Sequence, residues 1–91
     1  MLKIQFSAAF KKDYKRLKKR GYNLAVLDHA IAIIASGEKL PESYRDHALV
    51  GNYIGCHECH IASDWLLVYE IIENNLILYL TRTGTHSDIF S

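Results

Sequence analysis

A change of period near residue 46 constrains this chain more than any other feature. Before it, apolar residues recur at helical spacing; after it they alternate, in β-branched and aromatic company. Such a chain must lay a helical layer on one face of a sheet. With 91 residues it is expected to form one domain, residues 1–91.

The predicted elements follow in order. Residues 2–6 alternate apolar and polar and read as a strand. Ser7 suits an N-cap, Phe10, Tyr14 and Leu17 keep helical spacing, and Gly21 stops the helix. Asn23 can cap a second helix, whose stripe is Leu24, Leu27, Ile31 and Ile34, widened by Ala30 and Ile33, until Gly37. The short Gly21-Tyr22-Asn23 link makes the two helices a hairpin. Residues 37–45, with Pro41, are a loop. Cys56–Ala62, Trp65–Ile72 and Leu76–Thr83 read as three strands, the last two joined by the turn Glu73-Asn74-Asn75. A short extended piece is expected around His47–Val50. The fold class is α+β: an N-terminal strand, a helical hairpin, then a three- to four-stranded antiparallel sheet whose uncovered face is open and concave.

Composition narrows the function classes. Hydrophobic content of 49% and charged content of 23% are ordinary for a globular chain. No apolar run approaches the roughly 20 residues that span a bilayer, and the first residues lack the apolar core of a signal peptide. A cytoplasmic protein with no membrane partner is expected, with Cys56 and Cys59 as reduced thiols. The net charge of +1 hides an asymmetry. Lys11, Lys12, Lys15, Arg16, Lys18, Lys19 and Arg20 crowd seven of the eleven basic residues into one stretch. Such a run is either a solvated helix face or an electrostatic footprint for a phosphate backbone.

The second half carries the chemistry. His47, His60, Asp64, Trp65, Arg82, His86 and Phe90 lie at short spacings. Histidines titrate near neutral pH and suit proton transfer. Arginine's planar fork suits an oxyanion or a phosphate. Trp65 and Phe90 offer faces on which bases can stack. Together they point to a nuclease acting on single-stranded RNA. Strand parity puts Glu58 and His60 on one face and Cys59 and Ile61 on the other. It also puts Arg82 on the face of Leu78 and Leu80. Cys56-His57-Glu58-Cys59-His60 matches the C-x-x-C-H pattern of c-type haem and offers zinc ligands, but an odd spacing in a strand turns the two thiols to opposite sides. Cys59 reads as a small core residue. His29 is given no role.

Asp46-His47-x-Leu49, Glu58-Cys59-His60-Ile61-x-x-Asp64-Trp65-Leu66-Leu67-Val68-Tyr69, Arg82-Thr83-Gly84-Thr85-His86 and Phe90 resemble the YafQ subgroup of the RelE/ParE superfamily of toxins. The likeness extends over essentially the whole chain. It implies a RelE-like fold and a type II toxin that enters the A site of the 70S ribosome and cuts mRNA there, without metal or other cofactor. It also implies a monomeric toxin held in a hetero-oligomer by a cognate RelB/DinJ-type antitoxin encoded beside it. The resemblance places His47, His60, Asp64, Arg82 and His86 at the reaction centre. Asp64 or His60 would be the base, His86 the acid, and Arg82 would hold the non-bridging oxygens. His47 would orient the phosphate or share the base role. Trp65 and Phe90 would stack on bases, and Lys11, Lys12, Lys15, Arg16, Lys18 and Lys19 would follow the backbone. Arg82 is expected to be dispensable for folding, the alternative being a cross-sheet pair with Glu58 or Glu70. Two other functions fit the pattern less well: a ParE-type inhibitor of DNA gyrase, which needs no histidine set, and a noncatalytic RNA-binding module built on the basic helix.

Overall fold

The computed structural model describes residues 1–90. The elements are β1 (Lys3–Phe6), α1 (Ala8–Lys19), α2 (Leu24–Ala35), β2 (His47–Ala48), β3 (His57–Ala62), β4 (Trp65–Ile72), β5 (Ile77–Gly84) and α3 (His86–Phe90). One sheet takes all five strands in the order β1-β5-β4-β3-β2. β1 runs parallel to β5, and every other neighbouring pair is antiparallel. The expected antiparallel meander is therefore the larger part of a mixed sheet, because the hairpin α1–α2 returns the chain so that its first strand pairs with its last.

Local chemistry sets the boundaries. The Ser7 hydroxyl accepts from the Phe10 amide at 2.9 Å and donates to the Thr81 carbonyl at 2.6 Å, so one side chain caps α1 and ties it to β5. The Asn23 side chain accepts from the Ala25 amide at 3.2 Å and caps α2. Gly21, at φ +83°, supplies the left-handed residue that ends α1. Phe10 and Leu17 of α1 and Leu27, Ala30, Ile31, Ile34 and Ala35 of α2 pack on Cys59, Ile61, Leu67, Leu78 and Leu80 of the sheet. Leu27, Ala30, Cys59, Leu67, Leu78 and Leu80 are fully buried there.

The opposite face is less open than expected. Leu66 and Val68 on it are completely buried, under Ile89 of α3 and Cys56, with Leu49 and Tyr53 alongside. This second small core covers the middle of the sheet and leaves the polar site beside it. A bulge also revises the face of Arg82. Val68 pairs with Arg82 but Tyr69 with Leu80, so Thr81 is an extra residue in β5. The bulge breaks the alternation, and Arg82 shares a face with Val68 and Glu58, not with Leu78 and Leu80 as predicted.

Candidate active site

Two cross-strand rows build the site. Arg82 of β5 pairs with Val68 of β4, Val68 with Glu58 of β3, and Glu58 with His47 of β2. In the next row Gly84 pairs with Leu66 and Leu66 with His60. Glu58 is only 4% exposed, yet it lies between two imidazoles. Its Oε1 is 3.5 Å from His47 Nε2 and 3.8 Å from His60 Nε2. His47 Nδ1 lies 2.9 Å from the Arg45 carbonyl, to which it donates, and this turns Nε2 toward the carboxylate. His60 Nδ1 is buried and without a hydrogen-bond partner among the described residues. Burial, and after it Arg45, lowers the pKa of His60 from its ordinary value of 6.5. His60 is therefore neutral at neutral pH and able to accept a proton.

His86 opens α3 and completes a row of rings. Its centroid is 6.4 Å from that of His60, which is 6.3 Å from that of His47, so His60 lies between the other two. Asp64, in the β3–β4 turn, orients His86: its Oδ1 is 3.3 Å from Nδ1 and 3.4 Å from the main-chain nitrogen. Phe90 is one helical turn further on, 5.9 Å from the His86 ring and edge-on to Tyr53 at 5.6 Å. It stays 44% exposed, open for stacking.

α3 is locked by charge. Arg20 donates to Asp88 at 2.8 and 3.2 Å, Arg16 reaches it at 3.4 Å, and the Thr85 amide donates to it at 3.0 Å. The Arg20 guanidinium holds the Asp88 carboxyl well below the usual carboxylate range, with Thr85 helping. Gly84, at φ +149°, permits this approach, since a Cβ there would sit 2.9 Å from Asp88 Oδ2.

Asp13 anchors Arg82. It is 1% exposed and accepts from Arg82 Nε at 2.6 Å, Arg82 Nη2 at 3.1 Å and the Thr83 amide at 3.1 Å, as well as from Arg16. Arg82 Nη2 also donates to the Asp88 carbonyl at 3.1 Å. Thus Arg82 pairs with neither Glu58 nor Glu70, and its guanidinium is held at the site's edge by a buried carboxylate. The expectation that it is dispensable for folding is revised accordingly.

Two further predicted contacts change. Trp65 is 5% exposed on the helix-covered face, edge-on to Tyr22 at 5.0 Å, with its indole N–H donating to Thr83 Oγ1 at 3.0 Å. It is a core residue and cannot stack on a base. Arg16 is engaged internally with Asp13 and Asp88. Lys11, Lys12, Lys15, Lys18 and Lys19 remain exposed on the same helix. His57 belongs to another cluster, stacked on Tyr69 and 3.3 Å from Asp46. Asp46 in turn accepts a short hydrogen bond from the buried Tyr69 hydroxyl, which steadies the segment leading into His47. Cys56 and Cys59 fall in different cores, as their spacing predicted, and burial pushes the Cys59 thiol up to about 12.

Sequence reasoning missed Asp13 and gave Glu58 no role in the site. Both left signals. Asp13 stands three residues after Phe10 and four before Leu17, on the apolar stripe, where a lone carboxylate needs partners. Glu58 shares its strand face with His60. Among the described residues, His47, Glu58 and His60 offer ligand atoms all within 4.8 Å of one another and could hold a metal ion.

This fold, with a buried carboxylate between histidines and a C-terminal helix carrying a third, is that of a small bacterial toxin. The chain belongs to the YafQ family, bacterial toxins of type II toxin–antitoxin systems, whose family model matches residues 2–91. The mRNA interferase toxin YafQ of Escherichia coli K12 is 32% identical over 88 residues, covering 96% of this chain and 94% of that protein. A metal-bound toxin from Helicobacter pylori superposes with a TM-score of 0.93 at 40% identity, covering 99% of this chain and all of that one. YafQ in the E. coli DinJ–YafQ complex superposes with a TM-score of 0.89 at 32% identity, covering both chains fully.

Proposed function

We propose that this chain is a ribosome-dependent mRNA interferase of the cytoplasm, that its own side chains perform the acid–base chemistry in the A site, and that a DinJ-type antitoxin neutralises it. The E. coli relative's name and the DinJ–YafQ complex support the activity and the partner. The observation that carries the mechanism is the row of rings, with His60 6.3 Å from His47 and 6.4 Å from His86. Two rings so placed can reach opposite oxygens of one phosphate.

In this scheme His60 Nε2 takes the proton of the 2′-hydroxyl. O2′ bonds to phosphorus, the P–O5′ bond breaks, and His86 delivers a proton to O5′. The products are a 2′,3′-cyclic phosphate and a 5′-hydroxyl. Arg82, held by Asp13, faces the charge that builds on the non-bridging oxygens. Asp64 orients His86 and is not the base, and Phe90 supports a neighbouring base. The exposed lysines of α1 follow the backbone. Among the described residues, no helix is long and apolar enough to cross a membrane.

His47, Glu58 and His60 also fit a divalent ion, which would polarise a phosphate oxygen as a Lewis acid. The side-chain scheme and that chemistry part on one test. Cleavage that persists in excess EDTA and leaves cyclic phosphate ends is the expected result. Loss in EDTA with recovery on adding the ion would overturn the side-chain scheme. The gyrase-inhibitor alternative has no use for three clustered imidazoles beside a buried glutamate.

A further inference from the structure

Four arginines occur in the chain, and three of them are tied to carboxylates: Arg16, Arg20 and Arg82 engage Asp13 and Asp88. The fourth, Arg45, is exposed, and its guanidinium has neither an ion pair nor a hydrogen bond among the described residues. Nearby carboxylates are already engaged, Asp46 by Tyr69 and His57, and Glu58 by His47 and His60. The main chain of Arg45 is nevertheless fixed on both sides. Its amide donates to the Glu42 carbonyl at 2.9 Å, and its carbonyl accepts from His47 Nδ1 at 2.9 Å. Between these bonds it adopts φ +48° and ψ +48°, a left-handed conformation that costs free energy in any residue with a Cβ and that glycine adopts freely. Strained residues of this kind concentrate at functional sites. Arg45 and Ser43 border a pocket of about 380 Å³ whose other side is His60 and Ser63, and neither His47 nor His86 lines it. After burial, the Arg45 charge is the largest influence on the His60 ring, so the guanidinium lies within electrostatic reach of it.

We propose that this pocket is a subsite for one backbone phosphate of the RNA, the phosphate a nucleotide 5′ of the cut, with Arg45 holding its non-bridging oxygens and the Ser43 and Ser63 hydroxyls as further donors. The inference rests on the nuclease reading above and deepens it. A planar guanidinium presents two parallel donors that match a phosphate, and hydroxyls can donate to an oxygen left over. The direction along the strand follows from the roles of the rings. His86 faces O5′, on the 3′ side of the cut, and His60 faces O2′, on its 5′ side. A pocket that His60 lines and His86 does not therefore meets the strand before the cut. Arg82 does not line it, and its Nε and Nη2 are already held by Asp13 and the Asp88 carbonyl.

The test is single-turnover cleavage on programmed ribosomes over a range of toxin concentrations. The mRNA carries either an ordinary phosphate or an uncharged methylphosphonate one nucleotide 5′ of the cut. Arg45→Gln is expected to raise the half-saturating toxin concentration roughly ten- to hundredfold, the usual contribution of a hydrogen bond to a charged group, with the loss falling there and not in the saturated rate. The methylphosphonate should weaken wild type by a similar factor and Arg45→Gln no further, because both changes remove the same contact. Arg45→Gly should show the same weakening while its urea midpoint stays at or above that of wild type, since glycine relieves the left-handed strain. Losses that multiply when Arg45→Gln meets the methylphosphonate place Arg45 on a different group and overturn the subsite. Arg45→Gln cleavage indistinguishable from wild type also overturns it. An Arg45→Gly midpoint well below wild type makes Arg45 structural, with the same consequence. No cleavage by the wild-type protein overturns the subsite and the nuclease reading together. If Arg45→Gln fails to fold, Arg45→Gly carries the methylphosphonate comparison.

Discussion

Replacing His86 with alanine is expected to slow mRNA cleavage by about a hundred- to ten-thousandfold, the usual contribution of one general acid or base. The fold should be indifferent. The His86 side chain is 58% exposed and its partner Asp64 66%, so little apolar burial is lost and a surface pair contributes little. Cleavage rate and urea midpoint, measured on the same preparations, separate the two effects. A variant that cleaves within a few-fold of wild type would remove His86 from the chemistry. One that loses its cooperative transition would make His86 structural. The pH profile gives a second handle through His60, whose folded pKa lies below 6.5. Such a ring favours folding in its neutral form. The stability it contributes is full above about pH 6.5 and lost as pH falls from there through the folded value. If it is the base, the wild-type rate has an acid limb in that same window.

The largest stability effect is expected at Asp13. Asp13→Ala leaves Arg82 without its principal partner, frees Arg16 from its intrahelical pair, and orphans the buried Thr83 amide. Breaking a buried pair by removing one partner costs about 3–5 kcal/mol. A chain of this size has roughly 5–14 kcal/mol in all, so the variant should unfold at much lower urea and lose activity with it. Asp13→Asn keeps the shape and one acceptor and should lie between. Denaturant unfolding checks both. An Asp13→Ala loss under about 1 kcal/mol, the range of a surface pair, would show that the network is peripheral.

Asp13 also shows where the sequence stops being legible. The helices were readable because their caps and stripes are local: Ser7 and Asn23 bond within three residues of themselves. β3 to β5 were readable because alternation is local too. What escaped depends on partners far along the chain. The parallel pairing of β1 joins residues 74 apart, as in Lys3 with Ile77. The bulge at Thr81 moves Arg82 to the other face, and no composition signal marks it. Trp65 looked like a stacking platform because it adjoins the candidate site residues Asp64 and His60, but its parity with Leu67 and Tyr69 puts it in the core. The site's histidines were legible as residue types, and their order, with His60 in the middle, came only from the register of β2, β3 and the start of α3. The small core around Ile89 was hidden for the same reason, since a five-residue helix folding back carries no periodic signal.

Cutting of mRNA on the ribosome by the three clustered histidines is the proposal on which the function rests. Primer extension on an mRNA translated in a purified system, with and without ribosomes, and with wild type beside His86→Ala, tests it most directly. Discrete cuts that require ribosomes and vanish in the variant are the predicted result. No cuts with translation intact, or cuts that the variant makes equally well, would contradict it.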